Sequence, residues 1–242
     1  MNTDFVDKLS KELDDIYNTT NFKNNDVDKE LNILANKFED KIISLLQNYK
    51  SDAQEYYQKR EDYSNKVVDP VNKKVSKILM DVKNEFETKF NDHFDYQVAS
   101  SYSAKMNLIG ESDIDYFILF KPLTDERTIK ISQILTKHGF EFDKTINPNQ
   151  KHNTYFVFNT IIDDVEVEFK VRDYYYTKNV IRLHDYIDNK LDPKLKVLLT
   201  FAKYQLKLKS KEDKTFKGYN MFKTILYNFC FKDIEDAFYI IA

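Results

Sequence analysis

The sequence predicts an α+β protein, and three observations carry that prediction. Helical periodicity dominates residues 1–93, short apolar runs of strand length crowd into residues 94–173, and helical periodicity returns over residues 174–242. The chain therefore reads as an N-terminal helical region (1–93), a mixed central domain (94–173) and a C-terminal helical domain (174–242). Only three glycines and four prolines interrupt the 242 residues, so long regular elements are expected.

In the first region, Val27, Leu31, Leu34, Phe38, Ile42, Leu45 and Tyr49 recur three and four residues apart, and Ala53 and Tyr56 continue the stripe. One apolar face on a long helix follows. Asp69-Pro70 has the form of a helix start, with the aspartate as cap and the proline in the first turn. Val75, Ile78, Leu79, Val82, Phe86 and Phe90 form a second stripe. The pair of helices suits a hairpin, or a surface for a protein partner.

Phe94, Tyr96 and Val98 alternate with polar residues, as in a strand, and Tyr116 to Phe120 is a continuous apolar run suited to a buried central strand. Residues 124–138 have helical spacing through Ile129, Ile131, Ile134 and Leu135, with Gly139 as a stop. Phe140 and Phe142 open another strand. Strands over 154–162 and 165–171 are joined by Asp163-Asp164, a hairpin signal. Helices are expected over about 176–190, 193–209, 218–230 and 232–241.

Composition narrows the class. A hydrophobic share of 42% with 32% charged residues suits a globular core, and 17 Tyr and 19 Phe must supply much of its packing. A single cysteine, Cys230 between Phe229 and Phe231, excludes an intrachain disulfide framework, reads as a buried thiol and fits a reducing compartment. The N-terminus lacks the apolar core of a signal peptide, and no apolar run reaches the roughly 20 residues that span a bilayer. A soluble, cytoplasmic protein with no membrane partner is expected. Charge is uneven: residues 1–69 carry 10 basic and 15 acidic residues, whereas residues 194–217 carry eight lysines and two acids. The basic segment suits a phosphate-bearing partner, or a solvated surface.

Asp113 and Asp115 open the apolar run at positions i and i+2, so on a strand both carboxylates share a face while Ile114 points the other way. Two hard oxygen donors close together suit Mg²⁺, or Mn²⁺, which takes one or two carboxylates and completes its shell with water and phosphate oxygens. Glu166 and Glu168 share a face on a later strand and offer a third carboxylate. The four histidines lack metal-ligand spacing, and three isolated glycines form no phosphate-binding loop.

The stretch VASSYSAKMNLIGESDIDYFILF, Val98 to Phe120, resembles the signature of the DNA polymerase beta-like nucleotidyltransferase superfamily. That signature is a hydrophobic strand, a Gly-Ser turn, a spacer, and Ser-Asp-h-Asp-h opening the next strand (h is hydrophobic). Ser112-Asp113-Ile114-Asp115 matches the second part, and Ser100-Ser101 stands where Gly-Ser is usual. The resemblance implies a mixed nucleotidyltransferase-type sheet and a two-cation site held by Asp113, Asp115 and a third carboxylate. The third-carboxylate pattern places that residue at Glu168, with Glu166 as the fallback. Ser100, Ser101 and Ser112 would meet the nucleotide. The tail is similar to poly(A) polymerases and terminal uridylyltransferases through Phe201-Ala202-Lys203 and Lys217-Gly218-Tyr219-Asn220. Lys203 would then contact the triphosphate and Tyr219 would stack on the base.

The expected activity is transfer of a nucleoside monophosphate from a nucleoside triphosphate to a hydroxyl acceptor, an RNA 3′ end first among them. The alternatives are a catalytically inactive fold used for binding or scaffolding, and an enzyme acting on a protein, small-molecule or nucleotide acceptor. The strand VEVEFKVRD, with His184 downstream, also resembles the glutamate strand of RelA/SpoT-like synthetases, which lack the Asp-h-Asp pair.

Overall fold

The structure, a computed structural model, describes residues 2–20, 27–110, 113–146 and 155–232. Its elements in chain order are helices α1 (Thr3–Thr19), α2 (Val27–Lys37), α3 (Ser44–Gln47), α4 (Lys50–Tyr63) and α5 (Asp69–Phe90), then strand β1 (Asp95–Ala99) and α6 (Ser100–Ser103). β2 (Ile114–Phe120), α7 (Asp125–Lys137), β3 (Glu141–Ile146), β4 (Tyr155–Ile162), β5 (Val165–Asp173), α8 (Tyr174–Asn189), α9 (Pro193–Glu212) and α10 (Gly218–Lys232) follow. The class is α+β, as the sequence predicts. The helix expected over 232–241 lies almost wholly outside the described residues. Among the described residues, no helix is long and apolar enough to cross a membrane.

The chain divides into two compact units. The first, Met1–Lys59 with Tyr186–Ile241, is helical over its described residues. Its packing is aromatic: Phe5 lies 5.3 Å from Phe201, Phe38 lies 5.2 Å from Phe229, and Tyr56 stacks on Tyr204 at 4.1 Å. Cys230 is buried there. The N-terminal apolar stripe is spent on this core, with one correction. Residues Phe38–Ile43 are wound as a π-helix, whose wider turn shifts the face, so Leu46 is buried where spacing favours Leu45.

The second unit, Arg60–Asp185, carries the five-stranded sheet in the order β1-β2-β5-β4-β3. β2 and β5 run parallel and the other pairs antiparallel. Asp163 and Asp164 both take positive φ, the backbone of the tight hairpin joining β4 to β5. One sheet face (Ile114, Tyr116, Ile118 and Phe120 of β2; Val165, Val167, Phe169 and Val171 of β5) packs on α5 and α7 in the main core. On the other face Phe117 and Leu119 meet Tyr174, Val180 and Ile181 of α8.

Two local expectations are corrected here. Asp69 caps no helix start, because Val68 before it is already helical and Ser64–Val68 is π-wound. Pro70 cannot donate, and its ring crowds the carbonyl four residues back, where the wider π-turn stands. The Asp69 carboxylate instead accepts from Tyr102 Oη at 2.8 Å. Ile129 is exposed, since it cannot share a helix face with Ile131, which is buried with Ile134 and Leu135.

Beyond α5, Asp92 accepts a two-pronged bond from Arg127, with Nε and Nη2 at 2.8 and 2.7 Å. That bond lowers the Asp92 pKa from its ordinary 3.8. Asp92→Asn is therefore expected to cost about 1.5 kcal/mol at pH 7, as for a charge-assisted bond. Because the native pKa is depressed, this stabilisation is present above pH 3.8 and is lost as pH falls through the native value. Urea denaturation of the two proteins at pH 7 and pH 3 should show the gap narrowing in acid.

Candidate active site

Parallel pairing of β2 with β5 assembles the acidic cluster. In the β2 ladder Asp115 faces Glu168 on β5 and Ala99 on β1. Asp113 stands just before β2 on the same side as Asp115. Asp113, Asp115 and Glu168 each present a ligand atom within 4.8 Å of the other two. Asp115 is 1% exposed, and the other two are half-buried. Glu166 is exposed, one step nearer the hairpin turn, and outside this cluster.

Lys170 completes the cluster. Its Nζ lies 2.5 Å from Asp115 Oδ1 and 3.1 Å from Glu168 Oε2. Burial raises the Glu168 pKa, Lys170 pulls it down, and the neighbouring Asp115 charge pushes it up again. Burial disfavours the Lys170 ammonium, but Asp115 and Glu168 outweigh it and hold the lysine pKa above its ordinary value. The donor set is three hard carboxylates on adjacent strands, which fits a divalent cation such as Mg²⁺. Strand alternation puts Lys170 on the Glu168 face, a signal available in the sequence that motif reading passes over.

Ser100 follows β1 directly and takes φ +64°, the left-handed region in which glycine is at ease. Its N–H donates to His184 Nδ1 at 3.2 Å, and the His184 ring stacks against Phe117 at 6.5 Å. His184 is thus a support of the turn after β1, a role no spacing in the sequence reveals. Ser101, next in the turn, is half-buried and its carbonyl accepts from Met106 N at 2.8 Å. Glu111 and Ser112 lie outside the described residues. Ser100→Gly removes a left-handed cost of about 1–2 kcal/mol and adds a glycine entropy cost of about 0.5–1 kcal/mol. A net gain of about 0.5–1 kcal/mol is expected, read as a melting temperature raised by about 1–4 °C.

Lys203 and Tyr219 belong to the helical unit. Lys203 lies one helical turn before Lys207 on α9, and Tyr219 lies in the first turn of α10. Lys207 and Lys223 stand 4.9 and 5.6 Å from the centre of the Tyr219 ring. The ring is thereby set among ammonium groups, a combination suited to a nucleotide.

No family model and no curated protein matches the chain. Among solved structures, the Cid1 poly(U) polymerase bound to Mg and 3′-dATP matches 74% of this chain and 54% of its own, with 18% identity and a TM-score of 0.52. The same polymerase bound to MgGTP covers 66% and 49%, with 17% identity and a TM-score of 0.48. A cytoplasmic RNA terminal U-transferase covers 65% and 48%, with 18% identity and a TM-score of 0.43. The chain spans about half the length of these structures. At this identity the likeness to the first of these, with its TM-score above 0.5, establishes architecture alone: the chain shares the fold of that polymerase over the matched part.

Proposed function

We propose that the chain is a metal-dependent nucleotidyltransferase that moves a nucleoside monophosphate from a nucleoside triphosphate to a hydroxyl, with an RNA 3′ end as the acceptor. The observation that carries this reading is the convergence of Asp113, Asp115 and Glu168 within 4.8 Å across β2 and β5. Asp113 and Asp115 hold a divalent cation, and Glu168 faces the acceptor hydroxyl and favours its deprotonation. The cation, when bound, supplies charge for the departing pyrophosphate and Lewis acidity for the phosphoryl group. By the motif's resemblance Ser100, Ser101 and Ser112 would take the triphosphate, and within the helical unit Lys203 would supply a point charge for a phosphate and Tyr219 a face for a base. The lysines of residues 194–217, other than Lys196, which is buried and paired with Asp188, support RNA as acceptor over a small molecule. In this reading the protein works as a soluble, cytoplasmic enzyme, and a protein partner would meet the solvent-facing sides of the N-terminal helices, whose apolar stripes are buried in the cores.

The test is incubation of the purified chain with end-labelled RNA, Mg²⁺ or Mn²⁺, and each nucleoside triphosphate in turn. Untemplated extension with at least one of them is expected. A second reading, a fold that binds nucleotide without turnover, draws on Lys170, whose ammonium already engages two of the three carboxylates. Nucleotide binding with no extension under either metal would favour it.

A further inference from the structure

Lys170 changes what the acidic cluster can hold. Its backbone sits in register with Phe117 of β2 and Val157 of β4, so its stem is flanked by an aromatic and an aliphatic side chain on the same sheet face. Two residues on, the Arg172 guanidinium lies 5.3 Å from the Phe117 ring and 4.4 Å from the Tyr155 ring. That second cation occupies the face on the side away from Glu168. Repulsion from it and the pull of the carboxylates both turn the Lys170 ammonium toward Asp115 and Glu168. The ammonium is therefore delivered into the cluster from within the sheet.

The position it takes is specific. A divalent cation shared by Asp115 and Glu168 would sit about 2.0–2.1 Å from an oxygen of each. Lys170 Nζ already lies 2.5 and 3.1 Å from Asp115 Oδ1 and Glu168 Oε2, so ion and ammonium cannot both stand there. The charges agree. Three carboxylates less one ammonium leave two negative charges on the protein side of the site, the charge of one divalent cation. Asp113 presents a carboxylate oxygen within 4.8 Å of those of Asp115 and Glu168, the two members of the trio that Lys170 bridges.

We propose that Lys170 takes the place of one of the two cations that such a carboxylate triad holds, so that this site binds a single divalent cation, on the Asp113–Asp115 side, together with the nucleotide. The proposal rests on the nucleotidyltransferase reading and adds the source of the second positive charge. An ammonium can donate hydrogen bonds to an acceptor oxygen beside Glu168, but it offers no open coordination site. The acceptor side of the site thus works by hydrogen bonding and the nucleotide side by coordination.

Native mass spectrometry of the full chain with Mn²⁺ and a non-hydrolysable nucleoside triphosphate analogue counts the ions directly. One Mn²⁺ per nucleotide-bound chain is expected for the wild type and for Lys170→Arg, which keeps the charge, and two for Lys170→Met, which keeps the length without it. Thermal melting confirms that the variants fold, and the wild-type count stands without them. Two ions in the wild type overturn the proposal while leaving the nucleotidyltransferase reading in place, and so does one ion in a folded Lys170→Met. Uptake of neither Mn²⁺ nor analogue by any of the three proteins overturns that reading and the proposal with it.

Discussion

Replacing Asp115 by asparagine is expected to lower nucleotide transfer by about 10²–10³-fold or more, the loss seen when one oriented electrostatic group is removed from a water-poor site. Asp115 is the most buried member of the cluster, at 1% exposure, and the only one in register with both β1 and Glu168. Asparagine keeps its shape and can still accept from Lys170 Nζ through its amide oxygen, so the fold should survive. The charge that orients the ammonium, and that in the proposed reading would hold a cation, is what disappears. Steady-state extension of labelled RNA reads the first effect, and a melting curve reads the second. Transfer within about threefold of wild type would remove Asp115 from the machinery.

The largest expected effect on stability comes from Phe169, one residue along β5 from Glu168 and pointing to the opposite face. Phe169 is fully buried, stacks on Phe140 at 4.0 Å, and meets Tyr116 edge-on at 5.8 Å. Phe169→Ala should cost about 3–5 kcal/mol, from lost burial and the cavity left behind. Phe169→Leu should cost about 1.5 kcal/mol or less, since most of the volume is kept. Chemical denaturation of the three proteins gives both values. A loss below about 1 kcal/mol for the alanine variant would mean that this face of β5, opposite Glu168 and Lys170, packs loosely.

The sheet was legible because its signals are local. The apolar run Tyr116 to Phe120 and the alternation of β5 appear as expected, and Asp163-Asp164 forms the tight turn. The acidic trio was legible for a related reason: period-two alternation fixes which side chains share a face, and the Ser-Asp-h-Asp motif marks the strand. What could not be read depends on contacts remote in sequence. The π-turns shift helix faces by one residue, and no propensity marks them. The joining of residues 1–59 to residues 186–241 in one unit is a tertiary fact. The partnership of Ser100 N–H with His184 spans more than eighty positions and follows from packing alone. Lys170 lay between these cases: its face was predictable, but its reach to Asp115 needed the neighbouring strand.

The parallel pairing of β2 with β5 also bears on the order in which the protein acquires its chemistry. Antiparallel neighbours can zip from a tight turn, as β4 and β5 do, whereas parallel neighbours need a long crossover between them. Here the crossover comprises α7, β3 and β4, and it separates Asp115 from Glu168 by roughly fifty residues of chain. Loop-closure entropy must be met before that pairing forms, so the contact belongs to the slow, non-local part of folding. Until the pairing closes, Asp115 and Glu168 are unrelated acids on a solvated chain. Cation affinity should therefore emerge with the last cooperative step of the sheet, and a nascent chain that ends short of β5 carries half a site and none of its chemistry.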